Sequence, residues 1–293
     1  MKVAVYGRSS NEKVLNFLIN LLGKLEDLNI DYTLYEPFYK HFKDHNALIT
    51  HDPEVFNTHM EIRKDVDYIF SLGGDGTLLH TLEFVNDSGI PILGINLGRL
   101  GFLSSITTDE LDLAMQAILK GNYVIEKKSL LSLTCNKEIF KSTPYAMNEF
   151  TIQRKDTFTM ITVHTFINGE LLNTYWADGV IIATPTGSTG YSLSCNGPII
   201  YPNCNNFVVT PVAPHNLYVR PIVVPDDVVI SFEVEGRNDS FYATLDSRKE
   251  VIDSSYQIAV KKASFTANLL RLNDASFLNA IRDKLMWGQD QRN

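Results

Sequence analysis

The spacing of hydrophobic residues divides the chain into two parts of different character. In the first 122 residues, short apolar runs alternate with segments whose apolar residues recur every three or four positions. The runs at residues 3–6, 32–35, 68–72 and 91–96 have the length and composition of buried strands. Because strands alternate with helices, this part is predicted to be an α/β unit with a parallel sheet.

Two helices of this part have recognisable start signals. Ser9 and Glu12 have capping-box spacing ahead of a predicted apolar helix face made of Val14, Leu15, Leu18, Leu21, Leu22, Leu25 and Leu28. Thr107 and Glu110 repeat that spacing before the apolar positions Leu111, Leu113, Ala114, Ile118 and Leu119. Gly121 is expected to end this second helix in the left-handed conformation.

After residue 122 the chain is rich in β-branched and aromatic residues, without a strong helical period for more than a hundred positions. Strands are predicted at residues 161–166, 170–175, 228–234, 240–245 and 256–260, and Asn168-Gly169 is a type I′ hairpin signal. This pattern favours a β-sandwich. A last helix is expected from Asp274, with Phe277, Ile281 and Leu285 on one face, and it is expected to return to the first domain. The predicted domains are residues 1–122 with 270–293, and residues 123–269.

Composition narrows the class of protein. The 293 residues are 44% hydrophobic and 20% charged, which is typical of a globular chain, and the net charge of −8 argues against a general binder of nucleic acid or anionic membranes. Three cysteines are too few for a disulfide framework. Neither a signal peptide nor a membrane-spanning run is recognisable, so we expect a cytoplasmic protein.

The first candidate site is the turn Gly73-Gly74-Asp75-Gly76-Thr77, which follows a predicted buried strand. Glycines allow backbone amides to approach a phosphate closely, and the start of a helix attracts anions. Asp75 would repel such a ligand unless it held a metal or accepted a proton from an attacking hydroxyl. The alternative is a tight turn in which Asp75 caps a helix starting at Thr77. The spacing matches neither a Walker A motif nor a dinucleotide fingerprint.

A second candidate site lies at residues 178–194, where hydroxyls, glycines and the aromatic Tyr191 are concentrated. Hydroxyls and amides hydrogen-bond ribose and base edges, and Tyr191 offers a ring for a flat heterocycle. This chemistry suits a nucleoside. The alternative is a Ser/Thr-rich turn between two strands.

Together these motifs resemble those of the NAD kinase family over most of the chain. The landmarks occur in the family's order: residues 73–77, 96–102, 148–149, and 178–179 followed by 184–189, with a softer one at 214–223. The first motif also occurs in lipid kinases, so the combination carries the resemblance. A lipid kinase and a non-catalytic NAD sensor remain the alternatives.

The resemblance implies transfer of the γ-phosphoryl of ATP, or of polyphosphate, to the 2′-hydroxyl of the adenosine ribose of NAD, which gives NADP. The fold that the resemblance implies is a Rossmann-like N-terminal α/β domain followed by a β-sandwich. The resemblance also implies Mg²⁺, a homodimer or homotetramer, and small-molecule substrates without a nucleic-acid or membrane partner. Asp75 would accept the proton of the ribose hydroxyl, and Gly73, Gly74 and Gly76 would face the phosphates. The other implied binding residues are His80, Phe102, Asn148, Glu149, Asp178, Thr186, Thr189, Gly190, Tyr191, Ser192, Leu193, Ser194 and Asp246. No metal ligand is assigned.

The sequence also departs from the family pattern. Asp246-Ser247-Arg248 stands where relatives usually have Asp-Gly-Gln, Gly190 replaces an alanine, Asn196 replaces a glycine, and Trp176 replaces a basic residue. Taken without the resemblance, His80 is an ordinary packed or solvated histidine and residues 146–149 are a hairpin corner.

Overall fold

The computed structural model describes residues 1–8, 11–44, 52–98, 101–141, 143–156, 159–272 and 277–287. It separates into two compact units, one formed by Met1–Lys127 with Ala267–Asn293 and the other by Lys128–Thr266. The predicted helix starts at Ser9 and Asp274 lie outside the described residues, as do Arg99 and Leu100 of the 96–102 motif.

The first unit contains a parallel sheet, as its alternating pattern predicts. Its strands are β1 (Lys2–Gly7), β2 (Asp31–Tyr35), β3 (Glu54–Phe56), β4 (Tyr68–Leu72), β5 (Ile92–Asn96) and β6 (Ile106–Thr107). They pair in the order β5-β4-β1-β2-β3, with β6 beside β5. This is the strand order of a Rossmann half, and its direction reverses between β1 and β4, where such sheets bind ligands beyond the strands' carboxyl ends.

The helices of this unit are α1 (Glu12–Asp27), α2 (Glu36–Asp44), α3 (His59–Ile62), α4 (Asp75–Val85), α5 (Leu111–Lys120) and the late helix α7 (Phe277–Leu285). Helix α7 lies in the first unit, as predicted, and buries Ile281. The sequence pattern gave no definite prediction for the segment that follows Tyr35 and runs through Met60. The structure has α2 and β3 there, and α3 begins at His59.

The start of α1 differs from the prediction in its capping residue. Asn11 is the N-cap, and its Oδ1 accepts a hydrogen bond from the amide of Val14 at 3.0 Å. The predicted face is buried from Val14 to Leu25, but the inclusion of Leu28 was wrong, because the helix ends at Asp27 and Leu28 is exposed.

The start and end signals of α5 are confirmed. Thr107 and Glu110 form a capping box on a 3₁₀ turn that leads into the helix, and Gly121 ends it with a φ of 67°. Two of the apolar positions in this helix, Leu113 and Leu119, are not part of its buried face. They are exposed because the helix turns Leu111, Ala114, Met115, Ala117 and Ile118 towards the core.

The second unit is a two-sheet sandwich, which confirms the predicted class. Its strands are β7 (Val124–Cys135), β8 (Tyr145–Ala146), β9 (Glu149–Arg154), β10 (Ile161–Ile167), β11 (Glu170–Ala177), β12 (Gly179–Ala183), β13 (Asn206–Val212), β14 (Ile222–Pro225), β15 (Ile230–Glu235), β16 (Phe241–Leu245), β17 (Arg248–Ile252) and β18 (Ile258–Arg271). One sheet has the order β11-β10-β15-β18, with β7 beside β18 and β8 beside β7, and the other has the order β14-β13-β12-β9-β16-β17. The boundaries between the units fall within β7 and β18.

Side chains from both sheets share one apolar core. Phe150 of β9 and Phe232 of β15 come from different sheets, and their ring centroids are 5.6 Å apart. The hairpin signal is also confirmed, since Asn168 and Gly169 have φ angles of 50° and 85° between β10 and β11. In the part of the chain that the structure describes, every helix is too short or too polar to cross a membrane.

Candidate functional site

The glycine turn in the first unit connects β4 to α4. Gly73 has a φ of 152°, and a Cβ atom there would lie 2.3 Å from Thr77 Oγ1, so a larger residue would be strained. Helix α4 begins at Asp75, after the N-cap residue Gly74. Gly74 and Gly76 are exposed, and a Cβ atom at either position would meet open space. Packing therefore explains Gly73, whereas the two exposed glycines leave room for a ligand.

The carboxylate of Asp75 binds the loop that follows β5. Its Oδ2 accepts a hydrogen bond from the amide of Phe102 at 2.7 Å. Its Oδ1 accepts from the amides of Leu103 and Ser104 at 3.1 and 3.2 Å, and from the Ser104 hydroxyl at 3.3 Å. The alternative in which Asp75 caps a helix starting at Thr77 is therefore wrong, because Asp75 is itself the first helical residue and its carboxylate binds a different segment.

Gly101 is required by this arrangement. A Cβ atom at Gly101 would lie only 1.8 Å from Asp75 Oδ1. Since a carbon and an oxygen atom cannot approach so closely, any other residue here would displace the carboxylate or the loop.

Arg271, at the end of β18, donates hydrogen bonds to carbonyl groups of the same loop. Its Nη2 donates to the carbonyl of Phe102 and its Nη1 to the carbonyl of Ser104, both at 3.1 Å, while Nε donates to Glu126 at 2.9 Å. Sequence reasoning missed Arg271, since no motif surrounds it.

Two further predicted residues of this unit have ordinary surroundings. His80 is partly buried, and its Nδ1 lies 3.3 Å from Glu83 Oε1. The Phe102 ring is partly buried, and the Lys284 ammonium of α7 lies 6.0 Å from its centroid. For both residues a role in binding stays a prediction.

In the second unit, Asp246 holds the segment that carries Asn148 and Glu149. Its Oδ2 accepts a hydrogen bond from the amide of Met147 at 2.9 Å, and Oδ1 accepts from the amides of Asn148 and Glu149 at 2.8 and 3.1 Å. Asp246 occupies the turn between β16 and β17 with a φ of 51°. One carboxylate thus pairs three consecutive amides.

The carbonyl groups of these three residues are paired as well. Thr184 Oγ1 donates to Met147 at 2.5 Å, the amide of Thr184 donates to Asn148 at 2.9 Å, and the amide of Asp246 donates to Glu149 at 2.9 Å. The backbone of residues 147–149 has partners for all of its polar groups, so its conformation is firmly determined. The hairpin-corner alternative is wrong, because β8 and β9 on either side belong to different sheets.

The side chains of Asn148 and Glu149, in contrast, have buried oxygen atoms without partners. Within the described part of the chain, Asn148 Oδ1 and Glu149 Oε2 have no hydrogen-bond partner. A Cβ atom at Gly190 would lie 3.1 Å from Glu149 Oε2 and 3.5 Å from Asn148 Nδ2, so Gly190 leaves space beside both. Leaving buried polar atoms unpaired is costly, which indicates a place where a ligand supplies the missing partners.

The pKa values of both carboxyl groups here are raised. Removal from water, together with the negative charge of Asp246, raises the pKa of Glu149 to about 8. Burial also raises the pKa of Asp246, but three amides and the nearby Arg248 oppose that rise. With a pKa of about 8, Glu149 keeps its proton at neutral pH and can donate a hydrogen bond.

The hydroxyl-rich segment lies between β12 and β13 as a 3₁₀ turn, Gly187–Thr189, followed by the short helix α6 (Tyr191–Ser194). Some of its hydroxyls support the segment itself: Ser192 Oγ is buried 2.8 Å from Thr210 Oγ1, and Thr189 Oγ1 donates to the carbonyl of Thr186 at 3.2 Å. Thr186 is buried, Leu193 is partly buried and Ser194 is exposed.

Tyr191 presents its ring to solvent while its hydroxyl is held. Tyr191 is 38% exposed. Its hydroxyl accepts a hydrogen bond from Gln153 Nε2 at 2.7 Å. Asn196, just after α6, has a φ of 66°, so asparagine does occupy the left-handed conformation.

Asp178 precedes β12 and forms an ion pair with Arg154 of β9. Asp178 Oδ2 lies 2.9 Å from Arg154 Nη2, and both side chains are about three-quarters buried. Trp176, two residues earlier, packs against His215 with 4.3 Å between ring centroids. Arg154 and Gln153 were missed by sequence reasoning, because only the pairing of β9 with β12 brings them to these positions.

The structure thus gathers Gly73, Asp75 and Phe102 in the first unit, and Asn148, Glu149, Gly190 and Asp246 in the second. Among the described residues there is no cluster of three or more His, Cys, Asp or Glu side chains able to hold a metal ion.

Known proteins share both the sequence and the fold. Models of the ATP-NAD kinase N-terminal and C-terminal domains match residues 13–123 and 147–272. An NAD kinase from Cytophaga hutchinsonii is 42% identical over 293 residues, covering 100% of both chains. The chain belongs to the NAD kinase family. The predicted family is confirmed, and the lipid-kinase and sensor alternatives receive no support.

Two solved structures have the same fold as this member of the NAD kinase family. Yeast NADH kinase complexed with NADH has a TM-score of 0.88 at 22% identity, covering 99% of this chain and 88% of that chain. An NAD kinase from Archaeoglobus fulgidus in complex with ATP has a TM-score of 0.73 at 23% identity, covering 98% of this chain and 99% of that chain.

Proposed function

We propose that this protein is an NAD kinase that transfers the γ-phosphoryl group of ATP to the 2′-hydroxyl of the adenosine ribose of NAD, giving NADP. The observation that carries the proposal is the Asp75 carboxylate, held at an open glycine turn in a chain of the NAD kinase family. Phosphoryl transfer needs positioning and charge stabilisation more than covalent help, and this turn can provide both.

Asp75 accepts the proton of the ribose hydroxyl. Its Oδ1 accepts three hydrogen bonds from the loop, whereas Oδ2 accepts one from the described residues and so retains a lone pair. As the hydroxyl oxygen forms a bond to the γ-phosphorus, the bond from that phosphorus to the bridging oxygen breaks, ADP leaves, and the hydroxyl proton passes to Oδ2.

The glycine turn binds the phosphates. Gly74 and Gly76 are exposed, and apart from the adjoining residues and the backbone of α4 no described atom lies within 4 Å of a Cβ built at either position, so phosphate oxygens can reach the amides at the start of α4. Because the described residues do not form a metal cage, Mg²⁺ enters as the Mg²⁺–ATP substrate, with the phosphates as its main ligands.

The second unit binds the dinucleotide. Asn148 Oδ1 accepts a hydrogen bond from a donor on the base or ribose, and protonated Glu149 donates one, which satisfies the two unpaired atoms. The Tyr191 ring packs against a flat group, and Asp178, paired with Arg154, binds the nicotinamide end. Thr186, Thr189, Gly190, Ser192, Leu193 and Ser194 shape or support this pocket.

The protein acts in the cytoplasm as a homodimer or homotetramer, with neither nucleic acid nor a membrane as partner. An exposed apolar pair, Leu217 and Tyr218 at 82% and 92% exposure, supports self-association, since large apolar side chains of this kind are usually covered at interfaces. Cys135, Cys195 and Cys204 are free thiols, which suits a reducing compartment.

The test is an assay of the purified protein with NAD and Mg²⁺–ATP, in which an NADP-specific dehydrogenase detects the product. Parallel reactions contain NADH, polyphosphate as donor, or diacylglycerol as acceptor. We expect NADP from NAD and ATP. Phosphorylation of diacylglycerol without NADP formation would instead indicate a lipid kinase, and NAD binding without turnover would indicate a sensor.

A further inference from the structure

The turn between β16 and β17 places an acid and a base two residues apart, Asp246 and Arg248. Arg248 Nη1 donates to the carbonyl of Thr143, and Nη2 donates to the carbonyl of Tyr145. The guanidinium carbon also lies 5.9 Å from the centroid of the Phe140 ring. The Arg248 side chain is therefore directed at Phe140, Thr143 and Tyr145.

The segment that Arg248 holds runs directly into the one that Asp246 holds. Residues 143 and 145 bind Arg248 through their carbonyls, and residues 147, 148 and 149 bind Asp246 through their amides. Two side chains of one hairpin turn thus determine the backbone path over residues 143–149. Ala146 and Met147 are fully buried, so the backbone has little freedom to move between the residues that bind Arg248 and those that bind Asp246.

We infer that Arg248 is a positioning residue for dinucleotide binding, which acts by orienting Asn148 and Glu149. This inference rests on the proposed function, because the ligand it concerns is NAD. The planar guanidinium can donate to two carbonyls at once along fixed directions, which a lysine ammonium cannot reproduce. Without that contact, the chain before Met147 can shift, and Asn148 and Glu149 then meet a ligand in the wrong orientation.

If Arg248 positions Asn148 and Glu149, its loss should affect the binding of NAD but not that of ATP. The contacts of Arg248 lie in the segment that carries Asn148 and Glu149, whereas the glycine turn at Gly73 belongs to a separate compact unit. Loss of Arg248 should therefore weaken NAD binding and leave the KM for ATP unchanged. A purely structural role would lower the melting temperature and the fraction of active protein without changing the affinity of the folded fraction for NAD.

The experiment compares Arg248→Met with Lys249→Met in the full-length protein. Lys249 is the adjacent residue, its side chain is exposed, and its ammonium lies 4.4 Å from the Tyr242 ring centroid rather than at the 143–145 carbonyls. Both variants remove one positive charge. For Arg248→Met we expect the KM and Kd for NAD to rise about tenfold, with the KM for ATP and kcat within about twofold of the parent, since two charge-assisted hydrogen bonds are lost. Lys249→Met should match the parent.

Arg248→Lys covers the case in which the methionine variant does not fold. It keeps the charge but loses the two-pronged geometry, and we expect the Kd for NAD to rise about threefold. An unchanged Kd for NAD in a folded Arg248 variant would overturn the inference. The proposed function fails in a different way: the parent would bind NAD by calorimetry without making NADP, and the effect of Arg248 on that binding would still be measured.

Discussion

Asp75 and Arg271 bind opposite polar groups of the same two loop residues. Phe102 and Ser104 each donate an amide hydrogen bond to Asp75 and each accept a hydrogen bond from Arg271 through the carbonyl. A side chain remote from the glycine turn in sequence thus determines the loop that holds the proposed catalytic carboxylate. Asp75 and Arg271 are linked through the backbone of Phe102 and Ser104.

Replacing Arg271 with methionine should therefore lower both activity and stability. The change removes the guanidinium that binds two loop carbonyls and Glu126, and we expect kcat to fall about tenfold and the melting temperature by about 5 °C. Steady-state kinetics and thermal unfolding measure the two effects. Arg282→Met, on the exposed face of α7, is the control and should change neither. Full kcat in a destabilised Arg271 variant would show that the loop and Asp75 are not coupled.

Asp75→Asn tests the proposed proton acceptor. Asparagine keeps the shape but cannot take the hydroxyl proton, so kcat should fall by about two to four orders of magnitude while the Kd for NAD stays within about threefold. Because asparagine also disturbs one loop hydrogen bond, Ser104→Ala is the matched control. It removes the hydroxyl bond to Oδ1 and leaves Oδ2 untouched, so it should keep nearly full kcat. Equal losses in both variants would assign Asp75 to holding the loop rather than to chemistry.

Two glycine-to-alanine variants separate packing from ligand approach. Gly101→Ala places a methyl group where the Asp75 carboxylate lies, so it should destabilise the protein and abolish activity. Gly76→Ala meets open space on α4 and should raise stability by about 0.5–1 kcal/mol, because alanine favours the helix. If phosphates approach this turn, the stabler Gly76 variant nevertheless loses kcat/KM for ATP. Unchanged kinetics in it would place the phosphates elsewhere.

Glu149 should make stability depend on pH in a defined window. Its pKa rises from an ordinary value of 4.5 to about 8 in the folded protein, so between these values the native state keeps a proton that the unfolded chain has lost. The unfolded state then binds fewer protons, and the contribution of this residue to stability declines as pH rises through that window.

Glu149→Gln, which mimics the protonated acid, should remove the pH-dependent contribution of Glu149 to stability. From about pH 5 to about pH 8 the melting temperature should fall less steeply for the variant than for the parent, and above about pH 8 the gap between the two curves should stop widening. Glu250→Gln, at an exposed position on β17, serves as the control and should follow the parent. Parallel curves for parent and Glu149→Gln would contradict a raised pKa.

Tyr191 is predicted to contribute its ring rather than its hydroxyl to NAD binding. Tyr191→Ala should raise the Kd for NAD about tenfold, since packing of a base against an aromatic ring is worth about 1–3 kcal/mol. Tyr191→Phe loses the hydrogen bond from Gln153 but keeps the ring, so its Kd should stay within about threefold of the parent. Calorimetry distinguishes the two, and equal weakening would transfer the role to the hydroxyl.

Local patterns predicted the parts of the fold that depend on near neighbours. Strand β4, the Asn168-Gly169 turn, the capping box at Thr107 and the helix end at Gly121 follow from residues a few positions apart. An error occurred where periodicity alone assigned a side to a residue. Leu28 is apolar and suitably spaced, yet α1 ends at Asp27 and leaves it exposed.

In the candidate site, too, local motifs predicted which residues matter but not which distant residues they contact. Motif resemblance indicated Asp75, Asn148, Glu149 and Asp246, but not that Asp75 binds residues 102–104 or that Asp246 pairs the amides of residues 147–149. These partners lie 27 to 29 and 97 to 99 positions apart in the chain.

By itself, the sequence determined the α/β and β-sandwich classes, the glycine turn and the family, because hydrophobic period, turn residues and short motifs are local properties of the chain. Only the tertiary structure decided that Arg271 and Arg248 hold the two segments next to the proposed site, that Gly101 makes room for the Asp75 carboxylate, and that Glu149 keeps its proton. The physical reason is that hydrogen-bond partners, steric fit and removal from water depend on which distant residues come together in space. The spacing of residues along the chain does not contain that information.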